Sequence, residues 1–178
     1  FTSNKKKWGS LLIIGKNANG SKIKNAIFEN GSFTNQLNIS ATGMISIFNV
    51  DNMIITDTII KNNYYGDDTL RSINSTINLK NIFMENCYGD CIDFDYSRGK
   101  LENIQIKNAG NDGLDFMTSI VNINSIKVIK CGDKGISIGE SSKIKGNNIK
   151  ISNCNIGIAS KDNSTGQFND ILLQSNKI

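Results

Sequence analysis

Histidine and proline are both missing from this chain of 178 residues. Without histidine there is no Ser-His-Asp or Cys-His machinery, and zinc catalysis loses its commonest ligand. Without proline, every backbone amide stays free to enter a ladder of strands. Arginine is reduced to Arg71 and Arg98, tryptophan to Trp8, and aromatic residues to 7%. Four cysteines are too few for a disulfide scaffold at this length. No apolar run approaches the length of a membrane-spanning helix, and Leu11 to Ile14 is too short for the core of a signal peptide, so no membrane insertion is expected. Charge of one sign is lacking too. Twenty basic against 16 acidic residues leave +4, with no long basic run, so no nucleic-acid partner is expected. Lys5-Lys6-Lys7 reads as a solvated linker. The first residue is Phe1 rather than Met, which leads us to expect a processed product, or a piece of a longer chain with adjacent domains.

Ile and Asn are present in excess. Asn makes up about 15% of the residues, against a few per cent in average usage, and its placement is periodic. Glu29-Asn30-Gly31 returns as Lys61-Asn62-Asn63, Glu85-Asn86-Cys87, Lys107-Asn108-Ala109, Ile129-Lys130-Cys131, Ser152-Asn153-Cys154 and Gln174-Ser175-Asn176. The settled step is about 22 to 24 residues, which is too short for a paired-helix repeat and suits a coil of three brief strands and three turns. Asn tolerates the left-handed backbone of a tight turn, and its amide can bond an identical amide one coil away. The expected fold is therefore all-β: a right-handed parallel β-helix, or solenoid, of about seven coils. It forms a single domain over residues 1–178, with irregular coils and a cap over 1–65 and regular coils over 66–178. Trp8-Gly9-Ser10 and Leu11 to Ile14 form the first strand. The step of about 32 residues from Asn30 to Asn62 implies an insertion around Gln36 to Met44. The Ile178 end requires a cover.

Within the regular part, Leu70, Ile92, Leu114, Ile136 and Ile158 recur at about 22 residues, followed two places on by Ser72, Phe94, Phe116, Ile138 and Ser160. Side chains alternate along a strand, so both columns point inward and Phe94 stacks on Phe116. Arg71, Asp93, Asp115, Ser137 and Ala159 then point outward, as do Asp95, Met117 and Gly139. A second inward set runs Ile82, Ile104, Ile126, Ile149, Ile171 and Met84, Ile106, Val128, Ile151, Leu173. A weaker third column joins Ile77, Leu101, Val121 or Ile123, and Ile144. Cys87, Cys131 and Cys154 share one column and read as buried free thiols, because stacked parallel side chains seldom reach disulfide geometry.

The segments Trp8-Gly9-Ser10-Leu11-Leu12-Ile13, Gly89-Asp90-Cys91-Ile92-Asp93-Phe94-Asp95, Asn111-Asp112-Gly113-Leu114-Asp115, Gly132-Asp133-Lys134-Gly135-Ile136-Ser137-Ile138-Gly139 and Asn155-Ile156-Gly157-Ile158-Ala159 resemble the right-handed parallel β-helices of the pectin-lyase-like superfamily. Within it, the chain is most similar to repeat domains of bacterial surface proteins, some attached to spore-coat-type kinase-like domains. The resemblance implies an extracellular or cell-surface location. The superfamily hosts lyases, hydrolases, epimerases and binding rods, so fold alone does not give function. The Gly132–Gly139 segment has the shape of the Gly-His-Gly segment of polygalacturonase-like members without its His, and no Arg-Ile-Lys segment is present.

Carboxylates carry the remaining chemistry. Asp67, Asp68, Asp90, Asp93, Asp95, Asp112, Asp115 and Asp133 collect along one edge. Asp93 and Asp115 fall one coil apart, about 4.8 Å between backbones, and opposed like charges need a remedy. A bridging cation, a proton held at a raised pKa, or neighbouring lysines and turn donors would each supply one. Asp93 and Asp115 are the candidate catalytic pair and the candidate calcium ligands. Arg71, Asp90, Asp95, Asp112 and Lys134 are candidate substrate-binding residues, against the plainer role of Asp90 and Asp112 as turn caps. Tyr64, Tyr65, Tyr88 and Tyr96 stand near this edge, where they would stack on sugar rings or shield turns. Two functions follow as expectations. One is a surface module that binds polysaccharide or a cell-envelope glycan, or serves as a structural rod. The other is a polysaccharide lyase, glycoside hydrolase or epimerase working at the Asp edge, with calcium as its possible cofactor.

Overall fold

The computed structural model describes residues 7–36 and 39–178, so Phe1, Lys5 and Lys6 lie outside the described residues. The chain is a parallel β-solenoid. Seven strands form the first sheet: Leu11–Ile14, Gly43–Phe48, Asp68–Ile73, Asp90–Asp95, Leu114–Met117, Lys134–Gly139 and Ile156–Ser160. The second sheet runs from Lys22–Lys24 and Ile27–Glu29, both beside Met53–Lys61, through Thr76–Cys87, Arg98–Ala109, Ile120–Cys131 and Lys143–Ser152 to Thr165–Gln174. The chain alternates between the sheets and makes six turns from the first strand of the first sheet to its last. Among the described residues the one helical element is a single 3-10 turn, Lys16–Ala18, and no helix is long and apolar enough to cross a membrane.

The inward columns stack in the expected register. Leu70, Ile92, Leu114, Ile136 and Ile158 pair coil to coil, and the column continues back through Ile45 to Leu11. Phe94 and Phe116 are fully buried and meet edge to face, with ring centroids 6.0 Å apart. Stiff branched side chains fill such layers without large entropy loss, and each fully buried Ile or Leu contributes about 1.5–3 kcal/mol. The weak third column is two columns. Ile77 stacks with Gly99, Val121 and Ile144, whereas Leu79, Leu101, Ile123 and Gly146 form the next one. Gly99 and Gly146 leave a gap in each, so sequence spacing alone does not separate them.

The corners are polar. Asn30, Asn62, Asn86, Asn108, Lys130, Asn153 and Ser175 all take left-handed backbone, with φ from 56° to 65°. Asn86 Nδ2 donates to Asn62 Oδ1 at 2.9 Å, and Asn108 Nδ2 to Asn86 Oδ1 at 2.8 Å. A second left-handed corner, Asn25, Asp57, Asn81, Asn103, Ser125, Asn148 and Asp170, mixes Asn with Asp and Ser and so lies outside the Asn repeat. There Asn81 donates to Asp57 at 2.8 Å and Asn103 to Asn81 at 2.9 Å. A third corner hides a buried serine ladder. The backbone amides of Ser75, Ser97 and Ser119 donate to the hydroxyls of Ser97, Ser119 and Ser142. These bonds satisfy amides at the bends, where the strand ladders are interrupted.

Coils approach so closely at the turn after the first corner that side chains are excluded. A Cβ on Gly110 or Gly132 would collide with the carbonyl oxygen of Tyr88 or Gly110 in the coil before. The long early step is explained by an antiparallel hairpin, Thr34–Gln36 with Ile39–Ala41. Trp8 closes the N-terminal side, donating from Nε1 to Glu29 O at 2.8 Å and packing near Phe28.

Cysteine usage departs from expectation in one respect. Cys87 is joined to Cys91 in a disulfide with Cα atoms 5.3 Å apart, while Cys131 and Cys154 are free and buried. Cys91 lies across a sharp turn from Cys87 within the same coil, so the bridge avoids the stacked-column geometry that disfavours disulfides.

Candidate functional site

The outward positions of the first sheet carry the acidic edge. Asp93 pairs in register with Arg71 on one side and Asp115 on the other, and Asp95 pairs with Met117. These residues point away from the core yet are not free in solvent. Asp68 and Asp95 are buried, and Asp93 is 9% exposed.

Arg71 organises the first half of the edge. Its Nη2 donates to Asp95 Oδ2 at 2.7 Å, its Nη1 to Thr42 Oγ1 at 2.7 Å, and Thr42 Oγ1 donates to Asp68 Oδ2 at 2.5 Å. Arg71 Nη1 lies 3.6 Å from Asp68 Oδ2, and its Nε 3.4 Å from Asp93 Oδ2 without forming a hydrogen bond. One guanidinium thus serves three carboxylates, which leaves a surplus of negative charge in a half-dry site. Burial, reinforced by the charges of Asp68 and Asp95 and opposed by Arg71, pushes Asp93 up to about 9. Burial pushes Asp68 up to about 6 against the Thr42 hydrogen bond and Arg71. Burial also works against the charge on Arg71, but the Asp95 hydrogen bond and the surrounding carboxylates more than offset it, and its pKa is raised. At neutral pH Asp93 therefore holds a proton.

The second half of the edge is braced from coil to coil. Asp90 Oδ1 accepts from the Asp112 backbone amide at 2.7 Å and from Asn111 Nδ2 at 2.8 Å. Asp112 Oδ1 accepts from the Lys134 amide at 2.7 Å, and Lys134 Nζ pairs with Asp112 at 3.4 Å and with Asp133. Asp90 and Asp112 are caps, as the plainer expectation had it, but each caps the following coil rather than its own turn. Burial raises Asp90 to about 7 and raises Asp112 as well.

The candidate calcium ligands Asp93 and Asp115 are register partners on neighbouring strands. The guanidinium of Arg71 lies against Asp68, Asp93 and Asp95 and supplies the positive charge there. Among the described residues, no group of three or more His, Cys, Asp or Glu side chains converges as a metal site.

Beside the Arg71 cluster, and sharing Thr42 with it, runs an aromatic groove of about 330 Å³. Phe33, Tyr65 and Tyr88 stand on successive coils along it, with Asn35, Ser40 and Asp67 as polar neighbours. Ring centroids are 5.7 Å apart for Phe33–Tyr65 and 5.1 Å for Tyr65–Tyr88. Tyr65 and Tyr88 remain 55% and 56% exposed. The Cys87–Cys91 bridge closes the turn that carries both Tyr88 and Asp90, which ties groove and acidic edge together. Tyr64 is already engaged, with Lys7 Nζ over its ring, and Tyr96 occupies a left-handed corner away from the groove. Phe33 and Thr42 escape sequence inspection because they lie in the irregular early coils, where no constant step aligns them with Tyr65 or Asp68.

No family model, no curated protein and no solved structure matches the chain. Fold and site define a parallel β-solenoid with an aromatic groove alongside an arginine-centred carboxylate cluster.

Proposed function

We propose that the chain is an extracellular or cell-surface module that binds a glycan along the Phe33–Tyr65–Tyr88 groove. The run of three exposed rings on consecutive coils is the observation that carries this reading. Large apolar faces exposed in a row are costly in water unless something covers them, and tyrosines offer a flat face with a polar handle. Asn35, Ser40, Thr42 and Asp67 add the hydrogen-bonding groups a hydroxyl-rich ligand requires. The resemblance to pectin-lyase-like repeats of surface proteins supports a polysaccharide or cell-envelope glycan as the partner. Tyr65→Ala and Tyr88→Ala are each expected to weaken glycan binding about tenfold or more with the melting temperature little changed. Calorimetric titration against a panel of neutral and acidic polysaccharides checks this, and a panel that stays blank for the unmodified chain would leave a structural rod as the better account.

The protonated Asp93 favours a second reading, as a hydrolase, lyase or epimerase. A carboxyl that keeps its proton at neutral pH suits a general acid, and Asp115 lies one coil away. New reducing ends or unsaturated products that vanish in both Asp93→Asn and Asp115→Asn would establish it. Binding without turnover would restrict the site to recognition.

A further inference from the structure

We infer that the later coils of the second sheet form a separate docking surface for a linear polyanion of the polyphosphate kind. The formal charge of +4 conceals a segregation of charge. The acidic edge of the first sheet sets eight aspartates against Arg71 and Lys134, so the outer face of the second sheet must carry the excess of lysines. The earlier strands of that face carry Glu29, Asp57, Glu85 and Glu102 among their basic residues, and three lysines are paired: Lys61 with Glu29 at 3.4 Å, Lys80 with Glu102 at 2.8 Å, and Lys107 with Glu85 at 2.7 Å. Past Glu102 the pattern stops. Ile120–Cys131 and Lys143–Ser152 contain no carboxylate, yet expose Lys127, Lys143, Lys145 and Lys150, besides Lys130 at the first corner.

These four make no ion pair among the described residues, and Lys127 and Lys150 are direct register partners on neighbouring strands. Opposed like charges destabilise a sheet, and no carboxylate among the described residues forms an ion pair with either lysine. A bound anion would. Shallow hollows lie between the lysines, about 580 Å³ beside Lys143 and Lys145 and about 230 Å³ beside Lys127 and Lys150. Asn122 and Gln167 line the first and add amide donors. Lysines are mobile point charges that accept phosphate without strict geometry, whereas planar carboxylate recognition favours arginine. Strands Arg98–Ala109, Ile120–Cys131 and Lys143–Ser152 carry no aromatic residue, so the surface lacks the stacking platforms used to bind single-stranded nucleic acid.

The test is a titration of the whole chain with inorganic polyphosphate between about 50 and 200 mM salt. Four contacts at about 0.7 counterions each predict a slope of log affinity against log salt near −3. The double variant Lys127→Gln/Lys150→Gln is expected to bind about tenfold more weakly at the lower salt, with the slope reduced by about 1.4. Lys80→Gln, which removes a neutralised lysine, should change neither. Tyr65→Ala should also leave polyphosphate binding intact, which separates this surface from the glycan groove. Unchanged affinity in the double variant overturns the inference. So does tighter binding to single-stranded DNA of equal charge, or binding to anionic lipid vesicles alone.

Discussion

Asp93→Asn is expected to raise the melting temperature at pH 8 by about 5 °C, although it removes a carboxyl from the cluster around Arg71. Three carboxyl groups surround Arg71, so its contacts with Asp68 and Asp95 remain when Asp93 is replaced. The sign follows from linkage. The pKa of Asp93 rises from 3.8 to about 9 on folding, and that of Asp90 from 3.8 to about 7. Between those limits the folded chain binds more protons than the unfolded chain, so stability falls as pH increases. The contribution of these groups is greatest below about pH 4 and is lost through pH 7 for Asp90 and pH 9 for Asp93. Discounted for relaxation and residual exposure, the effect of Asp93 at pH 8 is on the order of 1–3 kcal/mol. Thermal unfolding of the parent chain from pH 5 to pH 9 should show decreasing stability, and the variant a shallower decrease. Equal slopes, or a variant less stable at pH 8, would show that Asp93 ionises freely in the folded chain.

Phe116→Ala should cost more than any surface change, about 3–5 kcal/mol, and Phe94→Ala a similar amount. Both rings are fully buried and stand on adjacent coils, bounded by Ser72 before and Ile138 after. The solenoid has no distant elements that could shift to fill the void, because each coil touches only its neighbours. The double variant should lose less than the sum, since the edge-to-face contact disappears once. Urea unfolding measures all three. Strict additivity would mean that the rings contribute only as separate fillers.

The regular coils were legible because one physical rule repeats in them. Inward Ile, Leu and Phe every coil, with a left-handed Asn at the bend, leave a periodic trace, and the register of Asp93 with Arg71 and Asp115 follows from it. Legibility ended where the period changed. The hairpin at Thr34–Gln36 and Ile39–Ala41 offsets the early coils, which hid Phe33 and Thr42 although both belong to the site. The Cys87–Cys91 bridge does not follow from the coil-to-coil spacing of the cysteine column, because the bond forms across a turn within one coil. Burial of Asp93 and Asp95 is hidden from the sequence for a related reason. Alternation gives direction from the core, but says nothing of an arginine that folds over outward-pointing carboxylates. The serine ladder was within reach, since Ser75, Ser97, Ser119, Ser142 and Ser164 keep an almost constant step. Serine is simply too common for its spacing to attract attention.

The corner amides also give the rod an electrical sense. In each bonded pair described, the later residue donates to the earlier one: Asn108 to Asn86, Asn86 to Asn62, Asn103 to Asn81, Asn81 to Asp57. The amide dipoles add along the axis, much as peptide dipoles do in a helix. Their hydrogen-bearing ends face the start of the chain, where the rows terminate on carboxylates, with Asn62 donating to Glu29 and Asn81 to Asp57. In the first row the position after Asn108 is taken by a cation, Lys130. Anion at one end and cation at the other suit the field of the amides between them. The coils are alike in shape but not interchangeable in order, and a permuted chain would set these charges against the field they now complete.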